Sequence, residues 1–197
     1  VINYETTGYE FNREIVNNGS YLTHSSFEPF LGYRKSLEIE DASERKKRAL
    51  PPRKEEEVTD AHLQMDQYKL GRVSYQTTVS TSAKQTALAS GQLVNHWTAN
   101  GRNYYTYEAK NKILPLMAYL SATYATKKQL YKDVLLEQYY QADHDFNIDS
   151  IQLSMQRTLD YCQTNFGNYP MENLRMAEVP GHWGFGGYAH PGLISMV

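Results

Sequence analysis

At 197 residues, 41% of them hydrophobic and 21% charged, the chain can bury a core in one large domain or two small ones. Its single cysteine, Cys162, excludes an internal disulfide framework and a multi-cysteine zinc site. Lys+Arg 20 against Asp+Glu 22 leaves a net charge of -2, which argues against a nucleic-acid-coating surface.

No run of about 18 apolar residues occurs, so this segment is expected to make no membrane contact of its own. The chain begins at Val1 rather than Met and ends inside the apolar run Leu193 to Val197, and so reads as a segment of a longer protein. Ile2 to Glu5 and Glu14 to Val16 read as short strands, with Asn17-Asn18-Gly19-Ser20 as a turn. Charge dominates from Glu38 to Asp60. Within it, Asp41 to Leu50 predicts one or two helical turns, capped by Asp41 or Ser43 and stopped by Pro51-Pro52. Acidic residues surround the run Arg45-Lys46-Lys47-Arg48, which reads as a solvated face rather than a basic interaction patch.

Strand signals then sharpen. Arg72 to Ser80 alternates around Val73, Tyr75, Thr77 and Val79. Gln92 to Trp97 and Arg102 to Tyr107 flank Ala99-Asn100-Gly101, a hairpin signal. Met117 to Thr126 and Val134 to Tyr140 read as two more strands, and the spacing predicts an antiparallel sandwich. After Asp143 the period changes. Ile148, Ile151, Met155, Leu159, Cys162 and Phe166 mark one face of a helix over about 148–166, capped by Asp145 or Asn147 and ended by Gly167. Cys162 on that stripe reads as a small core hydrophobe rather than a reactive thiol. A strand over about 173–179, a Gly-rich loop from Gly181 to Gly187 and a last apolar segment follow. The expected fold is mainly β: an antiparallel sandwich over 1–117 with a charged insertion near 38–66, then a small α/β portion over 118–197 with one long helix.

Chemistry is sparse. Gly184-Phe185-Gly186-Gly187-Tyr188-Ala189 fits the relaxed dinucleotide pattern, but His190-Pro191-Gly192 after it is poor helix-opening sequence. A flexible or cleft-lining loop is the better reading. None of the six histidines forms His-Glu-x-x-His, and His182 and His190 stand eight apart across glycines and a proline. No catalytic residue, metal ligand or cofactor is assigned within this chain. The 17 tyrosines suit half-wet sheet faces better than a carbohydrate platform built on Tyr104 or Tyr105.

Several pieces resemble one family in order along the chain. Thr81 to Gly91 with the hairpin Trp97 to Tyr107 resembles the end of the N-terminal sheet domain of aminopeptidase N-like zinc peptidases, in particular the bacterial branch fused to ABC transporter permeases. Asn18 to Leu22 with Phe27 to Tyr33 is similar to an earlier strand pair of that branch. Leu116 to Tyr124 is similar to the crossing into the catalytic domain. Asn165 to Pro170 and the strand to Val179-Pro180 resemble the opening of that domain.

The resemblance implies peptide hydrolysis in a full-length protein whose zinc-binding His-Glu-x-x-His follows Val197, leaving this chain inactive alone. It implies an extracytoplasmic domain of a membrane protein, with peptide and the remainder of the chain as partners. It places Gly186, Gly187, Tyr188, Ala189 and His190 on the family's Gly-x-Met-Glu-Asn segment, where backbone pairs with substrate and the Glu carboxylate binds the α-amine. Ala189 stands at the Glu position. Met171-Glu172-Asn173 is expected to be a decoy, too early in the order. The alternative is a non-catalytic binding or scaffold module of a transporter-associated protein.

Overall fold

The computed structural model describes residues 14–27, 38–53 and 71–197. The expected strand Ile2 to Glu5, Glu55 to Glu57 and most of Phe27 to Tyr33 lie outside them. The chain divides into two compact units, Val1–Glu28 with Arg72–Val197, and Pro29–Gly71.

In the smaller unit a one-and-a-half-turn helix spans Ala42–Lys47, with the Asp41 side chain accepting from the Glu44 N–H at 2.8 Å. The solvated-face reading holds for its neighbours but not for Arg45, which is buried. Its guanidinium donates to Glu38 (3.0 Å), the Ile39 carbonyl (2.8 Å) and the Pro51 carbonyl (2.9 Å), so it ties the two ends of the turn together.

The described residues of the larger unit form three sheets. Strands β1 (Ile15–Val16), β2 (Gly19–Thr23), β4 (Thr86–Ala89) and β7 (Ala118–Ala122) make an antiparallel sheet in the order β1-β2-β7-β4. Strands β3 (Gln76–Ser82), β5 (Gln92–Ala99) and β6 (Arg102–Glu108) make a second, in the order β3-β6-β5. The expected hairpin joins β5 and β6, and Asn100 and Gly101 both take positive φ (51° and 73°), as a two-residue type I′ turn requires.

The third sheet has the order β11-β12-β10-β9-β8, from β8 (Ala125–Tyr131), β9 (Val134–Tyr140), β10 (Asn173–Glu178), β11 (Gly187–His190) and β12 (Leu193–Met196). Its three inner strands run parallel and both edge strands antiparallel. The helix Ile148–Phe166 is the crossover that parallel β9 and β10 need.

The sheets stack in layers. Tyr21, Leu88, Ala118 and Leu120 of the first sheet pack on Tyr139, Ala177, Val179 and Leu193, which belong to the third sheet and the residue after β10. Met155 and Leu159 of the long helix cover Val134 and Leu136 on the far side of that third sheet. Ala87 and Ala89 meet Tyr105 and Tyr107 of the three-stranded sheet. Strand β4 is thus buried on both faces. Its Thr-Ala-Leu-Ala sequence is short, has no clear alternation and carries two small alanines in place of bulky residues, which hid it from sequence reading. Gly19 is required where β2 meets β7, because a Cβ there would lie 1.6 Å from the Ser121 carbonyl oxygen.

Three expectations change in detail. Met117 to Thr126 is not one strand: β7 ends at Ala122, and β8 starts at Ala125 in a different sheet. Because β7 pairs with β2 and β4 while β8 pairs with β9, the chain passes from one sheet to the next at Thr123-Tyr124. The helix stripe is buried only as far as Leu159. Cys162 is half-buried and Phe166 is 78% exposed, because the last turns run past the sheet. Neither Asp145 nor Asn147 caps the helix by a side-chain hydrogen bond; a 3-10 turn over Asp145–Asn147 leads into it instead.

Candidate peptide-binding edge strand

The segment Gly186 to His190 forms the tip and length of β11. A Pro191-Gly192 turn folds it antiparallel onto β12: proline fixes its own φ, and Gly192 takes φ 71°, disfavoured for other residues. The register is Gly187↔Met196, Tyr188↔Ser195, Ala189↔Ile194 and His190↔Leu193. The Val197 N–H donates to the Gly186 carbonyl at 3.4 Å. Antiparallel alternation then turns the N–H and C=O groups of Tyr188 and His190 toward β12 and those of Gly187 and Ala189 away from it.

Among the described residues, β11 pairs with β12 alone. Gly186, Gly187, Tyr188 and Ala189 are exposed, and only His190 is buried. The expected loop from Gly181 to Gly187 therefore ends early, since Gly187 already lies in a strand. No helix follows Gly184 to Ala189, so nothing there can present an N-terminus to a pyrophosphate.

His190 is what holds the strand down. Its Nδ1 lies 3.0 Å from the Leu116 carbonyl oxygen, which can only accept, so Nδ1 carries the proton and Nε2 is the acceptor. Nε2 faces the Tyr21 hydroxyl at 3.3 Å and the Ser195 hydroxyl at 3.4 Å, and these two hydroxyls are 3.0 Å apart. Ser195 also donates to the Tyr188 carbonyl at 3.3 Å. Burial pushes the imidazole below its ordinary range; the Leu116 carbonyl partly opposes this and nearby His24 adds to it. Trp183 meets the Tyr21 ring edge-on at 4.9 Å, and Phe185 packs on the same ring.

A serine beside a histidine suggests a nucleophile, but the geometry rejects it. Ser195 is fully buried, its hydroxyl is engaged, and His190 leans on a carbonyl where a catalytic pair would use a carboxylate. The network positions β11. Sequence reading missed it because Tyr21 lies 169 residues from His190. The only local signal was a histidine and a serine on either side of a Pro-Gly turn.

The other candidates are placed as follows. Met171-Glu172-Asn173 leads into β10 rather than β11. The Lys110 ammonium donates to Glu172 at 2.6 Å, and buried Asn173 donates to the Gly192 carbonyl at 3.3 Å. Glu172, Lys110, Ile113, Met171 and Pro191 share a cleft of about 230 Å³. Tyr104 and Tyr105 point to opposite faces, as neighbours in a strand must. Tyr105 is buried, and Tyr104 stacks on Trp97 at 5.0 Å. Among the described residues, no group of three His, Cys, Asp or Glu side chains could hold a metal ion. Both nitrogens of His190 are already engaged, so a zinc ion does not fit the residues present here.

One buried charge cluster organises the centre of the sheet. Arg175 of β10 donates to Glu137 at 2.6 Å and to the carbonyls of Ala89 (2.9 Å) and Gly91 (3.1 Å), and it lies over the Tyr107 ring at 4.9 Å. Burial alone would raise the Glu137 carboxyl, but Arg175 and Lys128 outweigh it and hold that carboxyl below its ordinary range. The cluster is a strut between sheets, buried at Arg175 and Glu137 and reaching water at Lys128.

Among the described residues, no helix is long and apolar enough to cross a membrane. No protein-family model matches the chain, and no curated protein matches it in sequence. Solved structures do. The chain is similar to an M1 zinc metallopeptidase from Deinococcus radiodurans, with TM-score 0.53, 20% identity, and 62% of this chain and 30% of that one covered. It is also similar to a mutant of that enzyme bound to a Tyr-Ser-Ala substrate, and to a two-domain M1 zinc metallopeptidase mutant bound to L-tryptophan. Each of these gives TM-score 0.54, 20% identity and coverage of 63% and 30%. The chain thus spans about a third of the length of these structures. The fold, mainly β with antiparallel sheets and one long helix, is that found in M1 zinc metallopeptidases.

Proposed function

We propose that the chain forms one wall of a peptide-binding cleft in an aminopeptidase-like metallopeptidase, with zinc and the bond-breaking groups supplied by residues beyond Val197. The observation that carries the reading is β11: an exposed strand with no Lys, Arg, Asp or Glu, paired on one side only among the described residues. An extended peptide completes such an edge through main-chain hydrogen bonds, here to the N–H and C=O of Gly187 and Ala189. His190 keeps the strand rigid enough to act as a template, and Tyr188 offers its exposed ring to a side chain of the peptide. The likeness to M1 structures supports a peptide as the ligand.

The test is a titration of the ¹⁵N-labelled chain with a short extended peptide, followed by amide chemical shifts. Shifts centred on Gly187 and Ala189 are expected; shifts elsewhere, or none, reject the reading. A fluorogenic aminoacyl substrate with added zinc should show no turnover by the chain alone.

Ala189 favours a second reading. A methyl group cannot balance an ammonium, so the full-length protein would bind peptide without cleaving it, as a scaffold attached to a transporter. The resemblance to the permease-fused branch extends either version to an extracytoplasmic domain of a membrane protein. Reading the gene beyond Val197 separates them: an intact His-Glu-x-x-His supports hydrolysis, and a broken one supports the scaffold.

A further inference from the structure

We infer that the β11 edge takes peptide backbone without reading a free amino terminus, so that internal or N-blocked segments bind as well as free-ended ones. This rests on the edge-strand reading above and specifies its ligand class. An ammonium held at the end of a bound strand needs a carboxylate to replace its lost hydration. Residues 179–197 contain no Asp or Glu, so neither β11, its turn, β12 nor the loop before β11 can provide one.

The nearest acid in sequence is Glu178. It pairs in register with Met196, which pairs with Gly187, so it sits two strands in from the edge, about 9–10 Å away laterally. Its carboxylate is already occupied by the Gln141 N–H at 2.8 Å and the His144 ring at 2.5 Å. Glu137 is buried against Arg175 and Lys128. Glu172 shares the cleft that Pro191 lines, but Lys110 holds it. What β11 turns outward is uncharged: two amide units at Gly187 and Ala189, about 7 Å apart, the repeat of every second residue in an extended chain.

The experiment uses the 197-residue chain and an uncharged six-residue Thr/Val peptide amide, prepared with a free amine and with an N-acetyl cap. Dissociation constants within about twofold of each other are expected, with the same Gly187 and Ala189 amide shifts for both. A preference of about tenfold or more for the free amine overturns the inference while leaving the edge-strand reading intact, and Glu172→Gln then shows whether Glu172 supplies the selectivity. Binding by neither form removes the edge-strand reading, and the inference falls with it. In Ala189→Glu, an exposed position, a free-amine preference of about tenfold should appear. An unchanged ratio there would overturn the assignment of the indifference to Ala189.

Discussion

The two edges of the five-stranded sheet face the same physical problem and treat it differently. Both β8 and β11 are antiparallel additions to a parallel centre, and among the described residues each pairs on one side only. Strand β8 carries Lys127 and Lys128. The first is ion-paired with Asp149 of the helix, and the second with Glu137 at 2.8 Å while lying 5.5 Å from the Tyr139 ring centre. Lysines on an edge oppose the approach of another strand, because pairing would desolvate them. Strand β11 has Gly, Tyr, Ala and a buried His, with nothing to repel a newcomer. Edge protection is therefore a local choice written into side chains, and the strand that lacks it is the one to suspect of binding.

The largest expected effect removes the centre on which both edges rest. Arg175→Ala would take the guanidinium from the Ala89 and Gly91 carbonyls and from the Glu137 carboxylate, which keeps Lys128 and the Tyr139 hydroxyl on its other oxygen. Breaking one partner of a buried ion pair costs about 3–5 kcal/mol, to be read from urea unfolding. A loss below about 1 kcal/mol would show that the cluster is more hydrated than its burial implies. Because Glu137 is held below its ordinary range, its contribution to stability is present above that range and fades as pH falls through it.

Next comes the anchor peculiar to β11. His190→Ala takes the donor from the Leu116 carbonyl and leaves the Tyr21 hydroxyl with Ser195 alone, at about 1–3 kcal/mol. The pH dependence has a definite sign. The folded state keeps His190 neutral below its ordinary range, so the unfolded chain binds more protons as acid is added. Stability is full above pH 6.5 and declines as pH drops through the ordinary histidine range toward the depressed folded value. Denaturant melts at pH 7.5 and 5.5 should show the decline, and His190→Gln should flatten it. His24, Tyr188, Tyr21 and Ser195 face the ring, so His24→Gln is the control for a second titrating group.

What could be read from the sequence follows the same division. Elements with a strong local signal announced themselves: the long helix over 148–166 by its period, the hairpin by Asn100-Gly101 and β9 by its run of branched and aromatic residues. Elements without such a signal did not. Strand β4 is too small and evenly apolar, and β8 has its alternation broken by Lys127-Lys128. The site was legible as a segment, Gly186 to His190, because glycines and an apolar run frame it. Its anchoring was not, since Tyr21, Leu116 and Ser195 converge on His190 only through sheet packing. Buried Gln138, donating to the Ile148 carbonyl at 3.0 Å, was invisible for the same reason.

A smaller effect tests which amides on β11 face outward. Ala189→Pro deletes an N–H that the register turns away from β12, and edge strands tolerate proline there. Folding stability should change by less than about 1 kcal/mol, while amide shifts induced by peptide at Gly187 collapse. The same substitution at Tyr188, whose N–H faces β12, should instead unfold the hairpin. Equal outcomes at the two positions would show that the register is wrong.

The smallest expected change in stability lies on the guarded edge. Lys127→Val removes a charge whose partner, Asp149, is almost wholly in water, so unfolding should move by no more than about 0.5 kcal/mol. Valine also suits a strand, and on the face it shares with Ala125 and Tyr131 it replaces a charge with apolar surface. The consequence should appear in solution behaviour instead: sedimentation velocity at rising concentration should show larger species for Lys127→Val than for the unaltered chain. If the two profiles coincide, Lys127 is not what keeps β8 from pairing, and the contrast with β11 must then rest on Lys128, twist or exposure.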